Sequence, residues 1–81
     1  MTTQVYKILR EVVSKKTEGK KGIDEKDVYV TFEEFIYYFR DRYTGISEEE
    51  VRKALLNLEL WGKIKVENNG WDLEIRILEV E

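Results

Sequence analysis

The sequence predicts an α+β chain: a three-helix bundle, a short β-strand ahead of the second helix, and a C-terminal β-hairpin. Three observations carry this expectation. Apolar residues recur at three- and four-residue steps in three segments, two of those segments open on a Thr/Ser-x-x-Glu pattern, and the last third alternates apolar and polar residues around an Asn-Gly pair.

The first helix is expected from about Thr3 to Lys16, where Val5, Ile8, Leu9, Val12 and Val13 form one face. Thr17 to Lys26 contains Gly19 and Gly22 among charges and no periodic apolar residue, so it reads as a loop. Val28, Tyr29 and Val30 give a short β-prone run. Thr31 and Glu34 form a capping box for the second helix, in which Phe32, Phe35, Ile36, Phe39 and Tyr43 share a side and Tyr37 points away. Gly45 is placed to take the left-handed conformation that ends this helix. Ser47 and Glu50 repeat the capping box and open a third helix to about Trp61, with Val51, Ala54, Leu55, Leu58 and Trp61 inward. After Gly62, two alternating runs flank Asn69-Gly70, the strongest signal for a two-residue type I′ turn. That turn sets Val66 against Leu73 and Ile64 against Ile75 on one face, and Lys65 against Glu74 on the other. A lone hairpin is marginal in water, so this one is expected to lie on the helices.

At 81 residues the chain fits a single domain, and a domain this small buries only about 60% of the surface its unfolded form exposes. The absence of Cys and His removes disulfides, thiol nucleophiles, thiolate or imidazole zinc sites and the usual proton carrier at neutral pH. Ser14 and Ser47 have no histidine to activate them, no phosphate-cradling glycine motif occurs, and no carboxylate pair is marked by a cleft. A non-enzyme without cofactor, metal or small-molecule substrate is the expectation. Charged residues reach 38% against about 25% in an average domain. With Gln and Asn scarce and Met1 the single methionine, this composition points to a thermophile. No apolar run is long enough for a membrane span and no secretory pattern is visible, so a cytoplasmic protein is expected. The net charge of −3 is uneven. Residues 1–22 hold six cations and two anions, a net +4, whereas residues 23–81 hold eight cations and fifteen anions, a net −7.

The order of elements resembles the winged helix-turn-helix family over nearly the whole chain. The resemblance is carried by Val30-Thr31-Phe32-Glu33-Glu34-Phe35 at the start of the second helix and by Gly45-Ile46-Ser47 at the turn. Val51, Ala54, Leu55, Leu58, Gly62 and Ile64 extend it into the third helix and the hairpin. Size and composition are similar to small winged-helix proteins of thermophilic archaea and their viruses. The resemblance implies DNA binding, in a transcription regulator or other DNA-transaction factor. The third helix would enter the major groove of double-stranded DNA and the hairpin would act as a wing.

Residues suited to DNA are present. Arg52, Lys53 and Asn57 project outward from the third helix, Lys63 and Lys65 lie at the base of the hairpin, and Lys15, Lys16, Lys20 and Lys21 cluster at the end of the first helix and in the loop that follows. Scattered surface charges more often form an ordinary solvated face. Glu48, Glu49 and Glu50 would repel phosphates, and Asn68-Asn69-Gly70 is not a basic tip. Leu56 and Leu60 stand one turn apart on the outward side, where apolar side chains suit a protein surface. The alternative function is therefore a protein-docking winged helix, a subunit or adaptor of a replication, transcription or membrane-remodelling assembly. Its interface candidates are Leu56, Leu60, Tyr37, Trp71, Leu78 and Val80. Trp71 has the inward parity of Leu73, so closing the end of the core is the alternative to an interface role for it. Leu78 and Val80 are out of phase with the strand, which leaves three occupants open for the outward leucines: the chain's own tail, a second copy in a homodimer, or a foreign protein.

Overall fold

A computed structural model describes residues 1–78. The elements are α1 (Thr2–Thr17), a 3-10 turn (Glu25–Asp27), β1 (Val30–Thr31), α2 (Phe32–Arg42), α3 (Glu48–Leu60), β2 (Ile64–Asn68) and β3 (Leu73–Ile77). Three helices and one antiparallel sheet of order β1-β3-β2 make an α+β fold, an arrangement compatible with the winged-helix expectation.

Periodicity explains the helices. The five apolar residues of α1, the Phe32, Phe35, Ile36 and Phe39 stripe of α2, and Val51, Ala54, Leu55 and Leu58 of α3 are all buried. They meet Val30, Ile64, Ile75 and Ile77 of the sheet in one cluster, with Tyr43, Val66 and Leu73 packed at its margin. Among the described residues no polar or charged side chain is buried, so each fully sequestered Leu, Ile or Phe contributes about 1.5–3 kcal/mol without an offsetting desolvated group.

Both helix starts show the hydroxyl half of the expected capping box. Thr31 Oγ1 accepts from the Glu34 N–H at 3.1 Å, and Ser47 Oγ accepts from the Glu50 N–H at 3.2 Å. The carboxylates of the two boxes bond elsewhere: Lys16 Nζ approaches Glu34 to 2.8 Å and ties α1 to α2, and Glu50 Oε1 accepts from the Ser47 hydroxyl. The end of α3 is a Schellman turn. The Lys63 N–H donates to the Leu58 carbonyl and the Gly62 N–H to that of Glu59, with Gly62 at φ +75°, so the chain reverses directly into β2.

Several expectations need correction. The Thr17–Lys26 loop runs into the 3-10 turn, whose start is capped by the Asp24 side chain accepting from the Lys26 N–H at 2.9 Å. The β-prone run at Val28 pairs only at Val30 and Thr31, where β3 offers Ile75 and Glu74. Gly45 has φ +82° but does not end α2, which stops at Arg42 with Tyr43 as an extended cap donating to the Phe39 carbonyl. Trp61 lies beyond the last turn of α3 and is 63% exposed, so it does not belong to the inward set.

The hairpin register also differs. Ile64 faces Ile77, Val66 faces Ile75 and Asn68 faces Leu73, so the turn centres on Gly70 and Trp71 instead of Asn69 and Gly70. Gly70 alone takes a positive φ, +94°, which rules out a type I′ turn and gives the φ signs of type II′. The Asn69 side chain decides this. Its Oδ1 accepts from the N–H groups of both Trp71 and Asp72, at 2.9 and 2.8 Å. The slip is two residues, an even number, so the apolar face is preserved while the outer pairs change. Lys65 stands opposite Arg76 and Glu67 opposite Glu74. These like-charged pairs are relieved sideways: Lys65 reaches Glu67 at 3.3 Å, Asn69 Nδ2 donates to Glu74 at 3.0 Å, and the Arg76 guanidinium lies 5.6 Å from the centre of the Tyr29 ring.

Candidate functional site

The inward stripe of α3 fixes what the opposite side presents. Turning at about 100° per residue, the outward sector holds Glu49, Lys53, Leu56 and Leu60, flanked by Arg52 and Asn57. Leu56 is 54% and Leu60 74% exposed. Beside them, Leu55, Leu56, Val66 and Leu73 line a groove of 240 Å³ between α3 and the hairpin, with Arg52 and Glu59 at its margins. Glu59 holds the groove's far wall in place, because its Oε2 accepts from the Val66 N–H at 3.0 Å. The apolar surface is thus continuous from the helix crest to the floor between helix and sheet.

The cations proposed for DNA contact are dispersed. The Arg52 guanidinium sits 4.5 Å from the centre of the Phe32 ring, which directs it toward α2. Lys53 Nζ lies 3.9 Å from Glu49, and Asn57, one turn further along the helix, is exposed. Lys65 projects from the sheet face away from the core and pairs with Glu67, while Lys63 is half-buried at the turn. The basic cluster at the end of α1 and in the following loop is divided. Lys16 donates to the Tyr29 carbonyl at 2.7 Å as well as pairing with Glu34, so it is part of the α1–α2 contact. Lys15 lies 5.2 Å from the centre of the Tyr38 ring, and Lys20 and Lys21 are exposed.

The acidic first turn of α3 is engaged locally: Arg40 meets Glu48 at 3.3 Å, and Ser47 Oγ donates to Glu50 Oε1 at 3.4 Å. These carboxylates also suit the positive end of the helix dipole.

Tyr37 is 75% exposed, as expected from its phase. Trp71 does not close the core. It is 96% exposed because the shifted turn makes it a central turn residue instead of a strand residue. The tail does not turn away from the sheet at Leu78, whose N–H donates to the Lys63 carbonyl at 2.9 Å and extends the β2–β3 ladder. Leu78 is exposed, and Val80 lies outside the described residues.

Two residues that sequence reasoning missed organise this region. One is Glu59, described above. The other is Asp72, whose Oδ2 accepts from the Glu33 N–H at 3.1 Å and so caps α2 from the hairpin turn. No local pattern marks either contact, since Asp72 and Glu33 are separated by 39 positions.

Among the described residues no group of three or more Asp, Glu, Cys or His side chains is arranged to hold a metal ion, and no helix is long and apolar enough to cross a membrane. No protein-family model, curated protein or solved structure matches this chain.

Proposed function

We propose that the chain is a non-catalytic winged-helix module that docks a protein partner on the outward face of α3 and the adjoining groove, with the β2–β3 hairpin as its wing. One observation carries the reading: Leu56 is exposed and lines the groove with Leu55, Val66 and Leu73, and Leu60, one helical turn beyond it, is exposed as well. Leu56 and Leu60 are 54% and 74% exposed, so a partner's apolar side chains would recover about half to three quarters of the roughly 1.5–3 kcal/mol that full burial of each contributes. The partner in this reading inserts apolar side chains along the groove and meets the ionic residues only at the rim.

Leu56→Glu with Leu60→Glu tests it. Both side chains point away from the core, so the double variant is expected to keep its helical circular dichroism. It is also expected to lose association with a partner isolated on the wild-type protein and then purified, as measured by light scattering of the reconstituted pair. Association of equal strength with the double variant refutes the proposal.

Duplex DNA is the second reading, favoured by Lys53 and Asn57, one turn apart on the exposed side of α3, with Arg52 at its flank. It predicts affinity that falls steeply with salt, by about 0.9 log units per log unit of salt for each phosphate contacted. Arg52→Ala and Lys53→Ala would each weaken it. Absence of duplex binding at low salt removes it.

A further inference from the structure

The shifted hairpin turn creates a second surface feature, away from the α3 leucines. Trp71 and Tyr37 face a common cleft of 670 Å³ between α2, the start of α3 and the turn, with Phe32 and Ile36 in its lining. Its polar lining is strongly one-signed. Glu33, Asp41, Glu48 and Asp72 contribute four carboxylates, whereas Arg40 is the single cation in the lining and is already paired with Glu48 at 3.3 Å.

Trp71 is exposed but its backbone is not loose. Its N–H donates to Asn69 Oδ1, and its neighbour Asp72 is fixed by accepting from the N–H groups of Leu73 at 2.8 Å and Glu33 at 3.1 Å. With the turn backbone already ordered, only the side-chain torsions of the indole remain to be fixed when a ligand covers it, which lowers the cost of using it as an interface anchor. Tryptophan is also the aromatic that attracts cations most strongly, and carboxylates around the rings add to that attraction.

We propose that this cleft receives a cationic side chain, a lysine or arginine from a basic segment of a protein partner, held against Trp71 and Tyr37 within the carboxylate ring. The charge selects the class of ligand: a phosphate-bearing nucleic acid or an acidic peptide meets three more carboxylates than cations here. The site is separate from the α3 docking face. It needs neither Leu56 nor Leu60, so either proposal can fail alone.

The probe is tetralysine peptide, titrated into the protein carrying Trp61→Phe so that the emission reports Trp71 alone. The expected result is a saturable change in Trp71 emission that weakens with salt and is absent with tetraglutamate. Trp71→Ala and Tyr37→Ala, followed by calorimetry and checked for fold by circular dichroism, are each expected to weaken tetralysine binding about three- to tenfold, the equivalent of one cation–π contact. Asp41→Asn is expected to weaken it as well. No saturable binding at low salt overturns the proposal. So does binding that responds to Asp41→Asn but not to Trp71→Ala or Tyr37→Ala, which is simple attraction to an acidic surface.

Discussion

Asp72→Ala is the perturbation that most directly tests how the hairpin is joined to the helices. A helix begins with four N–H groups that have no intrahelical acceptor. In α2, Thr31 supplies one acceptor from within the segment and Asp72 supplies another from the turn between β2 and β3. Removing a capping acceptor costs about 1 kcal/mol, and removing a negative charge from a helix start costs a further 0.3–1 kcal/mol, roughly. The site is partly open to water, so about 1.5 kcal/mol is expected for the sum. In a domain of this size that lowers Tm by roughly 6–12 °C. Asp72→Asn keeps an oxygen acceptor while removing the charge, and should recover about two thirds of the loss. Thermal and urea unfolding followed by circular dichroism measure both variants. A Thr31→Ala, Asp72→Ala double-mutant cycle then shows whether the two caps act on one helix start. If Asp72→Ala unfolds within about 0.3 kcal/mol of the parent, the tie between turn and helix contributes nothing and the reasoning is wrong. If Asp72→Asn is as damaging as Asp72→Ala, the charge and not the hydrogen bond is what matters.

Lys16→Met removes a half-exposed ion pair with Glu34 and a hydrogen bond to the Tyr29 carbonyl. After allowance for solvent screening the expected cost is about 0.5–1 kcal/mol, shrinking as salt screens the wild-type pair, and is read from urea midpoints at two salt concentrations. Phe35→Ala empties the centre of the α2 stripe, where Phe35 is fully buried against Phe39 with ring centres 5.6 Å apart. It should cost about 3–5 kcal/mol, a large part of a small domain's total stability, and show as loss of the cooperative unfolding transition at ambient temperature.

The helices were legible because burial imposes a period on the sequence, and α1 retains its whole five-residue face. The caps at Thr31 and Ser47 were legible for a similar reason, as each acceptor lies three residues from its donor. The hairpin was visible but its alignment was not. Alternation constrains only parity, and turns centred one residue apart give alignments differing by two, which leave Ile64 and Val66 on the same face. What settles the matter is side-chain chemistry at Asn69 and a distant demand from α2 on Asp72. That single displacement accounts for two misplaced features, the exposed Trp71 and the Lys65–Arg76 pair. Trp61 was misplaced for another reason: it has the right phase for α3 but stands past the helix's last residue. On the candidate surface, the outward leucines followed from phase. The engagement of Lys16 and Arg52 did not, because their partners Glu34 and Phe32 belong to another element.

The contact between Glu59 and β2 bears on how any partner can be recognised. A sheet with an open border invites a visiting peptide to lie alongside and continue the ladder, main chain to main chain. Here one border strand, β1, is two residues long, and the other, β2, has the Val66 N–H occupied by a carboxylate from the preceding helix. A visiting strand would have too short a template on one side and a fixed anion to evict on the other. Recognition is thereby confined to side chains and surface shape, and the same arrangement discourages copies of the chain from stacking edge to edge when crowded.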